Sequence, residues 1–197
     1  MQFSKTSYPV VFNSTGGRTS VSLKISDIIL EEDLSIKVDR FCLSNCAEIL
    51  LPAAKNVYFE NAPLIGFYGS MLSYEGFTKL HAKENANLCN WVYARRQEEL
   101  LERKNLSKGF WKEQMLRLKP NISFEYKPDS CPWRVYKFEN QIWLPTSEQL
   151  EEIWGLDFTG SVCADDLNSC SKRVNKRWRK GTRIVIGDTL HVSKGRY

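Results

Sequence analysis

Histidine is scarce in this sequence, which holds only His81 and His191. Because histidine is a frequent general base near neutral pH and a common metal ligand, a catalytic or metal centre built on it is poorly supplied. The phosphate-binding patterns GxxxxGK[ST] and GxGxxG and the nucleophile pattern GxSxG are also missing. The sequence therefore favours a non-catalytic protein that works without a cofactor.

Long hydrophobic runs are missing as well. No segment approaches the roughly 18 apolar residues that a membrane span requires. The first eight residues are mostly polar and lack the apolar core of a secretory signal. We therefore expect a cytoplasmic protein with no membrane partner.

The six cysteines lack the close pairing of a zinc knuckle, because no CxxC occurs. Cys42 and Cys46, with Cys89 or His81, could form a zinc site, but the spacing gives this interpretation little support. In a reducing compartment we expect free, partly buried thiols. They are Cys42, Cys46, Cys89, Cys131, Cys163 and Cys170.

What the chain does contain is typical of a folded domain. Its 197 residues are 42% hydrophobic and 26% charged, which is ordinary for a globular protein. We predict one α+β domain over 1–197, with a β-rich part over 1–86 and a second part over 87–197. The expected architecture is a mixed or antiparallel sheet packed with a helical hairpin, followed by a basic helix and a C-terminal β-hairpin.

Apolar periodicity predicts the elements of the first half. Residues 8–12 and 34–43 have the composition of strands. Alternation of apolar and polar residues over 19–26 predicts another strand, and 27–30 is expected to pair with 34–43. Residues 44–70, interrupted by proline and glycine, are expected to be irregular.

Helical spacing follows in the middle of the chain, over 87–104 and 107–119, where Pro120 is expected to end the second helix. Strand-like runs occupy 122–126, 133–138 and 141–144. The last two are separated by two residues and predict a tight hairpin. Thr146 and Gln149 have capping-box spacing, with Gly155 as a helix stop.

The C-terminal end carries the clearest chemical signal. Residues 171–197 hold nine Lys or Arg against one acid, a local net charge of +8, whereas the whole chain is +5, so the first 170 residues carry −3. A helix is predicted from Asp165 and Asp166 to Lys180, with Gly181 as its cap, and residues 183–192 predict a hairpin that turns at 187–188. On that helix Cys170, Val174 and Trp178 form an apolar stripe, and the basic residues cover the opposite face.

Like charges at i and i+4 repel on a helix, so an anionic partner would stabilise this face. We therefore predict that it binds the phosphates of a nucleic acid, DNA or RNA. The predicted contacts are Lys172, Arg173, Lys176, Arg177, Arg179, Lys180 and Arg183.

Two alternatives remain open. The basic face could dock on an acidic protein surface, as in an inhibitor or assembly factor. A metal-dependent nuclease is the other, because Glu125-Tyr126-Lys127 resembles the second half of the PD-(D/E)xK nuclease motif. That resemblance would imply a Mg²⁺-binding Glu125 and a Lys127 near the attacked phosphate, but the family's preceding Asp has no counterpart upstream.

Overall fold

The computed structural model of the chain describes residues 8–68, 88–106, 109–124, 134–138 and 140–195. The fold is α+β, with parallel and antiparallel strand pairs, and its basic helix is followed by a C-terminal β-hairpin. Within the described ranges, no helix has the length and apolar character to cross a membrane.

Four parallel strands form the N-terminal part of the sheet. They are β1 (Val10–Ser14), β2 (Ile36–Leu43), β3 (Val57–Phe59) and β4 (Leu64–Gly66). β1 pairs along β2, and on the other side of β2 the short strands β3 and β4 pair with its first and second halves. β2 is therefore the central strand, and its predicted position over 34–43 is confirmed.

Five further strands follow: β5 (Pro120–Phe124), β6 (Arg134–Phe138), β7 (Ile142–Leu144), β8 (Arg183–Ile186) and β9 (Thr189–Val192). β5 and β6 form an antiparallel pair. β7 is parallel to β8, and β8 and β9 form the predicted C-terminal hairpin, which is confirmed.

A reciprocal bridge joins the two groups of strands. The Phe67 amide donates to the Trp143 carbonyl at 2.9 Å, and the Trp143 amide donates to the Phe67 carbonyl at 3.0 Å. Both side chains are fully buried, and Phe67 meets Trp154 edge-on at 5.5 Å between ring centroids. The aromatic core therefore lies where the N-terminal and C-terminal strands meet.

Helix α1 (Thr19–Glu31) replaces the strands predicted over 19–26 and 27–30, and that prediction was wrong. Leu23 and Ile29 are buried with Ser22 and Ser26, which is a helical spacing, whereas Val21 is half exposed. Apolar and polar residues alternate over 19–26 as they do in a half-buried strand. However, β1 and β2 are parallel neighbours, and such strands need a crossover connection between them, which α1 supplies.

The remaining helices of the first half correct the irregular segment expected over 44–70. A π-helical turn, Cys46–Leu50, runs into α2 (Leu51–Ala53), and β3 and β4 follow. The helices predicted over 87–104 and 107–119 are confirmed as α3 (Leu88–Arg103) and α4 (Gly109–Leu118). α3 contacts α1 and α2, whereas α4 contacts β7.

The tight hairpin predicted between 133–138 and 141–144 is wrong, because β6 pairs with β5 and β7 pairs with β8. All three residues of β7 are buried. A short strand that is apolar on both faces is typical of the interior of a sheet with parallel pairing, and the two-residue spacing to β6 does not reveal this.

The capping box at the next helix is confirmed. The Gln149 amide donates to Thr146 Oγ1 at 3.2 Å, and the Thr146 amide donates to Gln149 Oε1 at 3.1 Å. Helix α5 (Ser147–Gln149) continues as a π-helical turn, Leu150–Trp154, and Gly155 ends it with a left-handed φ of 79°. A 3₁₀ turn, Cys163–Asp165, then precedes α6 (Leu167–Arg177).

Four cysteines are paired, so the expectation of free thiols is wrong for them. Disulfide bonds join Cys42 to Cys46 and Cys163 to Cys170. The first links the end of β2 to the π-helical turn, and the second links the 3₁₀ turn to α6. Because both sulfurs of the first pair are bonded to each other, they are not available to zinc. The other candidate zinc ligands, His81 and the side chain of Cys89, lie outside the described residues.

Thiol titration of the denatured, unreduced protein is expected to find at most two thiols per chain. Each short disulfide loop restricts the unfolded chain, so reducing either bond should lower the free energy of unfolding by about 2 kcal/mol. Denaturant melts with and without reductant would measure this. Four or more titratable thiols would contradict the pairing.

Candidate functional site

Helix α6 begins at an N-cap that the sequence predicted. The Asp166 carboxylate accepts hydrogen bonds from the amides of Asn168 at 3.0 Å and Ser169 at 3.1 Å. Cys170 and Val174 are fully buried, so the apolar stripe is confirmed for these two positions. α6 therefore lies with one face against the core and its basic residues on the outside.

The helix ends earlier than predicted. Its last residue is Arg177, and Trp178 is extended with φ −102° and ψ 151°. The chain turns here because Gly181 has a left-handed φ of 85° and pairs with Ser193, which extends the hairpin. Arg179 and Lys180 consequently belong to the loop that enters β8.

A groove of about 760 Å³ lies between the end of α6 and the segment after β9. Five of its eight lining residues are cationic, and no acid is among the lining residues that the structure describes. The lining residues are Lys172, Asn175, Lys176, Arg177, Trp178, Arg179, Lys194 and Gly195. Part of the basic surface predicted from the sequence is thus concave.

Hydrogen bonds hold the far wall of this groove against the helix. The Lys194 amide donates to Asn175 Oδ1 at 2.7 Å, and the Ser193 hydroxyl donates to the Trp178 carbonyl at 3.1 Å. A Cβ on Gly195 would lie 1.9 Å from that same carbonyl oxygen, so only glycine allows this close approach. The groove is therefore formed before any ligand arrives.

His191 supports this wall as a neutral side chain. Burial lowers the pKa of His191, and the charge of Lys194 lowers it further. Its Nε2 lies 3.1 Å from Asn175 Oδ1. Because that oxygen is an acceptor, we assign the Nε2–H tautomer, in which His191 donates to Asn175.

Aromatic rings surround Arg177 at one end of the groove. The Arg177 guanidinium carbon lies 4.0 Å from the ring centroid of Phe41 and 5.6 Å from that of Trp178. The Tyr68 hydroxyl lies near the side chains of Trp178 and Arg177, which oppose the rise of its pKa. Burial raises the pKa of Tyr68, so its hydroxyl is protonated and neutral at pH 7.

Arg173 is half-buried and contacts the backbone of neighbouring elements. Its guanidinium donates to the backbone carbonyls of Arg40 at 3.1 Å, Asn61 at 3.3 Å and Ala62. Burial lowers the pKa of Arg173, and the nearby charge of Asp39 opposes this shift. These contacts join α6 to β2 and to the loop between β3 and β4.

The structure brings four of the seven predicted contacts together in the groove: Lys172, Lys176, Arg177 and Arg179. Lys180 is exposed in the loop after the helix, and Arg183 is half-buried with its Nε donating to Asn140 Oδ1 at 3.1 Å.

Lys194, Asn175 and Trp178 also line the groove, and none of them is among the contacts predicted from the sequence. The register of the predicted hairpin contained a signal for Lys194. Because Arg183 pairs with Val192, the residues after Val192 run back past the start of β8, which follows the basic helix. Residues 193 and 194 therefore lie beside the end of that helix.

A second group of interest is buried and does not line the groove. Glu48 is 3% exposed, and burial raises its pKa from 4.5 to about 7. The Gln114 side chain donates to Glu48 Oε1, and the Gln97 side chain donates to the Glu48 carbonyl, both at 3.3 Å. Glu48 thus connects the π-helical turn to α3 and α4.

Among the residues that the structure describes, no three His, Cys, Asp or Glu side chains form a cluster that could hold a metal ion. Glu125 and Lys127, the residues of the nuclease alternative, lie outside the described ranges. Comparison with family models, with curated proteins and with solved structures found no match in any of the three.

Proposed function

We propose that this protein binds nucleic acid through the phosphate backbone, in the groove between α6 and the segment after β9. The observation that carries the proposal is the lining of that groove, where five cations lie together and no acid is among the described lining residues. Such a concave cationic surface concentrates polyanions, and each phosphate that it neutralises releases counterions.

The contacts proposed for phosphate are Lys172, Lys176, Arg179 and Lys194, with Arg177 at the aromatic end. Arg173 is assigned a structural role instead, because its guanidinium donates to three backbone carbonyls. Phosphate contacts of this kind give affinity without reading base sequence, so we expect little sequence selectivity.

An acidic protein surface is the second candidate partner, and the same groove would receive it. The two partners differ in the number of negative charges and in how regularly those charges are spaced. Binding measurements with both kinds of ligand therefore distinguish them. The nuclease alternative would need Glu125 and Lys127, and it predicts a Mg²⁺-dependent cleavage that Glu125→Gln abolishes.

The cellular location is also a proposal. A cytoplasmic protein is what the N-terminal sequence predicted, but disulfide bonds persist mainly in oxidising compartments. The pairs Cys42–Cys46 and Cys163–Cys170 therefore favour an oxidising environment at the place where the protein works.

Salt dependence and charge reversal test the proposed function. With about five phosphate contacts, affinity for an oligonucleotide should fall about 100-fold between about 50 and 200 mM salt. Lys176→Glu/Arg179→Glu should weaken binding about 100-fold at about 50 mM salt and reduce the salt slope, because two contacts are lost. Fluorescence anisotropy with labelled oligonucleotides measures both effects.

The matched control is Lys24→Glu/Lys119→Glu, which makes the same change in net charge at two exposed lysines outside the groove. We expect this variant to bind almost as tightly as the parent protein. Equal losses in both double variants would mean that net charge alone drives binding, and the groove would lose its assignment.

A further inference from the structure

Beyond its cations, the groove has one aromatic residue, Trp178, among the lining residues that the structure describes. We propose that the groove takes a single strand of nucleic acid, with one base stacked on the Trp178 indole and the adjoining phosphates on the surrounding lysines and Arg179. This inference rests on the proposed function, and it adds the form of nucleic acid and the residue that selects it.

The position of the indole is the first argument. Trp178 follows the last residue of α6, lines the groove and is half-buried, with its side chain packed against the core. Packing against the core restricts the ring, and the Trp178 carbonyl accepts a hydrogen bond from the Ser193 hydroxyl. A ring fixed in this way loses little conformational entropy when a base stacks on it.

The second argument is the arrangement of charge around the ring. Lys176 and Arg179 lie two residues before and one residue after Trp178, and Lys194 lines the opposite wall. A stacking ring within a cationic channel is the combination by which proteins bind single strands without sequence preference. A groove of about 760 Å³ is in the size range of pockets that receive small ligands. A single base with its sugar suits such a space, whereas a duplex keeps its bases stacked on each other and out of reach.

Arg177 supplies the third argument. Its guanidinium lies over the ring of Phe41 at 4.0 Å and over that of Trp178 at 5.6 Å from the centroid, so aromatic contacts hold the positive charge at this end. A charge placed there attracts the phosphate next to the stacked base.

The experiment compares four probes with the unmodified protein by competition anisotropy at one salt concentration. They are a single-stranded oligonucleotide of about 12 nucleotides, an abasic strand with the same number of phosphates, a duplex of the same sequence, and poly-glutamate of matched charge. We expect the single strand to bind about tenfold more tightly than the abasic strand and the duplex. Poly-glutamate should compete least.

A variant pair gives an independent measurement. Trp178→Leu should lose about tenfold in affinity for the single strand and nothing for the abasic strand, whereas Trp178→Phe should keep most of the difference. Circular dichroism and thermal melts establish that both variants are folded. The probe comparison on the unmodified protein decides the question even if Trp178→Leu fails to fold.

The outcomes separate this inference from the proposed function. Equal affinity for the single strand and the abasic strand would overturn stacking on Trp178 and leave phosphate binding intact. Tighter binding of the duplex would overturn the single-strand assignment. If only poly-glutamate binds, both proposals fail and an acidic protein surface becomes the partner.

Discussion

Between pH 4.5 and pH 7 we expect the free energy of unfolding to fall by about 3 kcal/mol because of Glu48. Burial raises the pKa of this carboxyl to about 7 in the folded protein, against 4.5 for an exposed group. The folded state therefore keeps its proton over a range in which the unfolded state has released it. Since the folded state binds more protons there, stability decreases as pH rises through this window and is constant above it.

Glu48→Gln isolates this effect. Glutamine is neutral at every pH and keeps an oxygen that can accept from Gln114, so the variant should match the parent protein near pH 4.5 and exceed its stability by about 3 kcal/mol at pH 8. Urea denaturation at a series of pH values measures the difference. Glu152→Gln, at an exposed glutamate, is the control and should leave the parent pH profile unchanged. Parallel profiles for Glu48→Gln and the parent would show that this carboxyl does not titrate between these limits.

The second large effect is expected at Arg173. Arg173→Met removes donors from the carbonyls of Arg40, Asn61 and Ala62 and should lower the free energy of unfolding by about 3 kcal/mol. Asn61 and Ala62 have left-handed φ values of 53° and 46°, a conformation that side-chain-bearing residues adopt at a cost. The guanidinium stabilises that loop by donating hydrogen bonds to the carbonyls of Asn61 and Ala62.

Arg173→Lys should recover only part of the stability, because one ammonium group cannot reach all three carbonyls in the planar arrangement of a guanidinium. Chemical denaturation measures stability, and oligonucleotide binding by the folded variants measures function. If Arg173→Met keeps its stability but loses binding as strongly as Lys176→Glu/Arg179→Glu, then Arg173 is a phosphate contact, as the sequence analysis predicted.

The sequence predicted those elements whose signals are local. The capping box at Thr146, the spacing of α3 and the turn of the C-terminal hairpin are each encoded within a few residues, and each is confirmed. α1 was misread because Val21, Leu23 and Ile25 alternate like a strand, and only its place between two parallel strands requires a helix. The partner of β7 lies about forty residues away in β8, so no local pattern could identify it.

The candidate site, too, could be predicted only in part from the sequence. The excess of lysine and arginine is visible in the sequence, and four of the predicted contacts line one groove. The concave shape is not visible, because its wall is formed by Lys194 and Gly195 after the hairpin has returned to the helix end. The role of Arg173 was also hidden, since its acceptors lie more than a hundred positions away along the chain.

The attachment of α6 to β2 has a thermodynamic consequence. Arg173 reaches the carbonyl of Arg40, and Arg177 lies over Phe41, so one wall of the groove is held by residues from the opposite end of the chain. A ligand that occupies the groove and has no affinity for the unfolded chain raises the melting temperature with its concentration. Because Phe41 and Arg177 come from distant parts of the chain, stabilisation by the ligand extends to strands from both ends of the chain. Thermal melting of the whole protein is therefore a direct screen for what the groove binds.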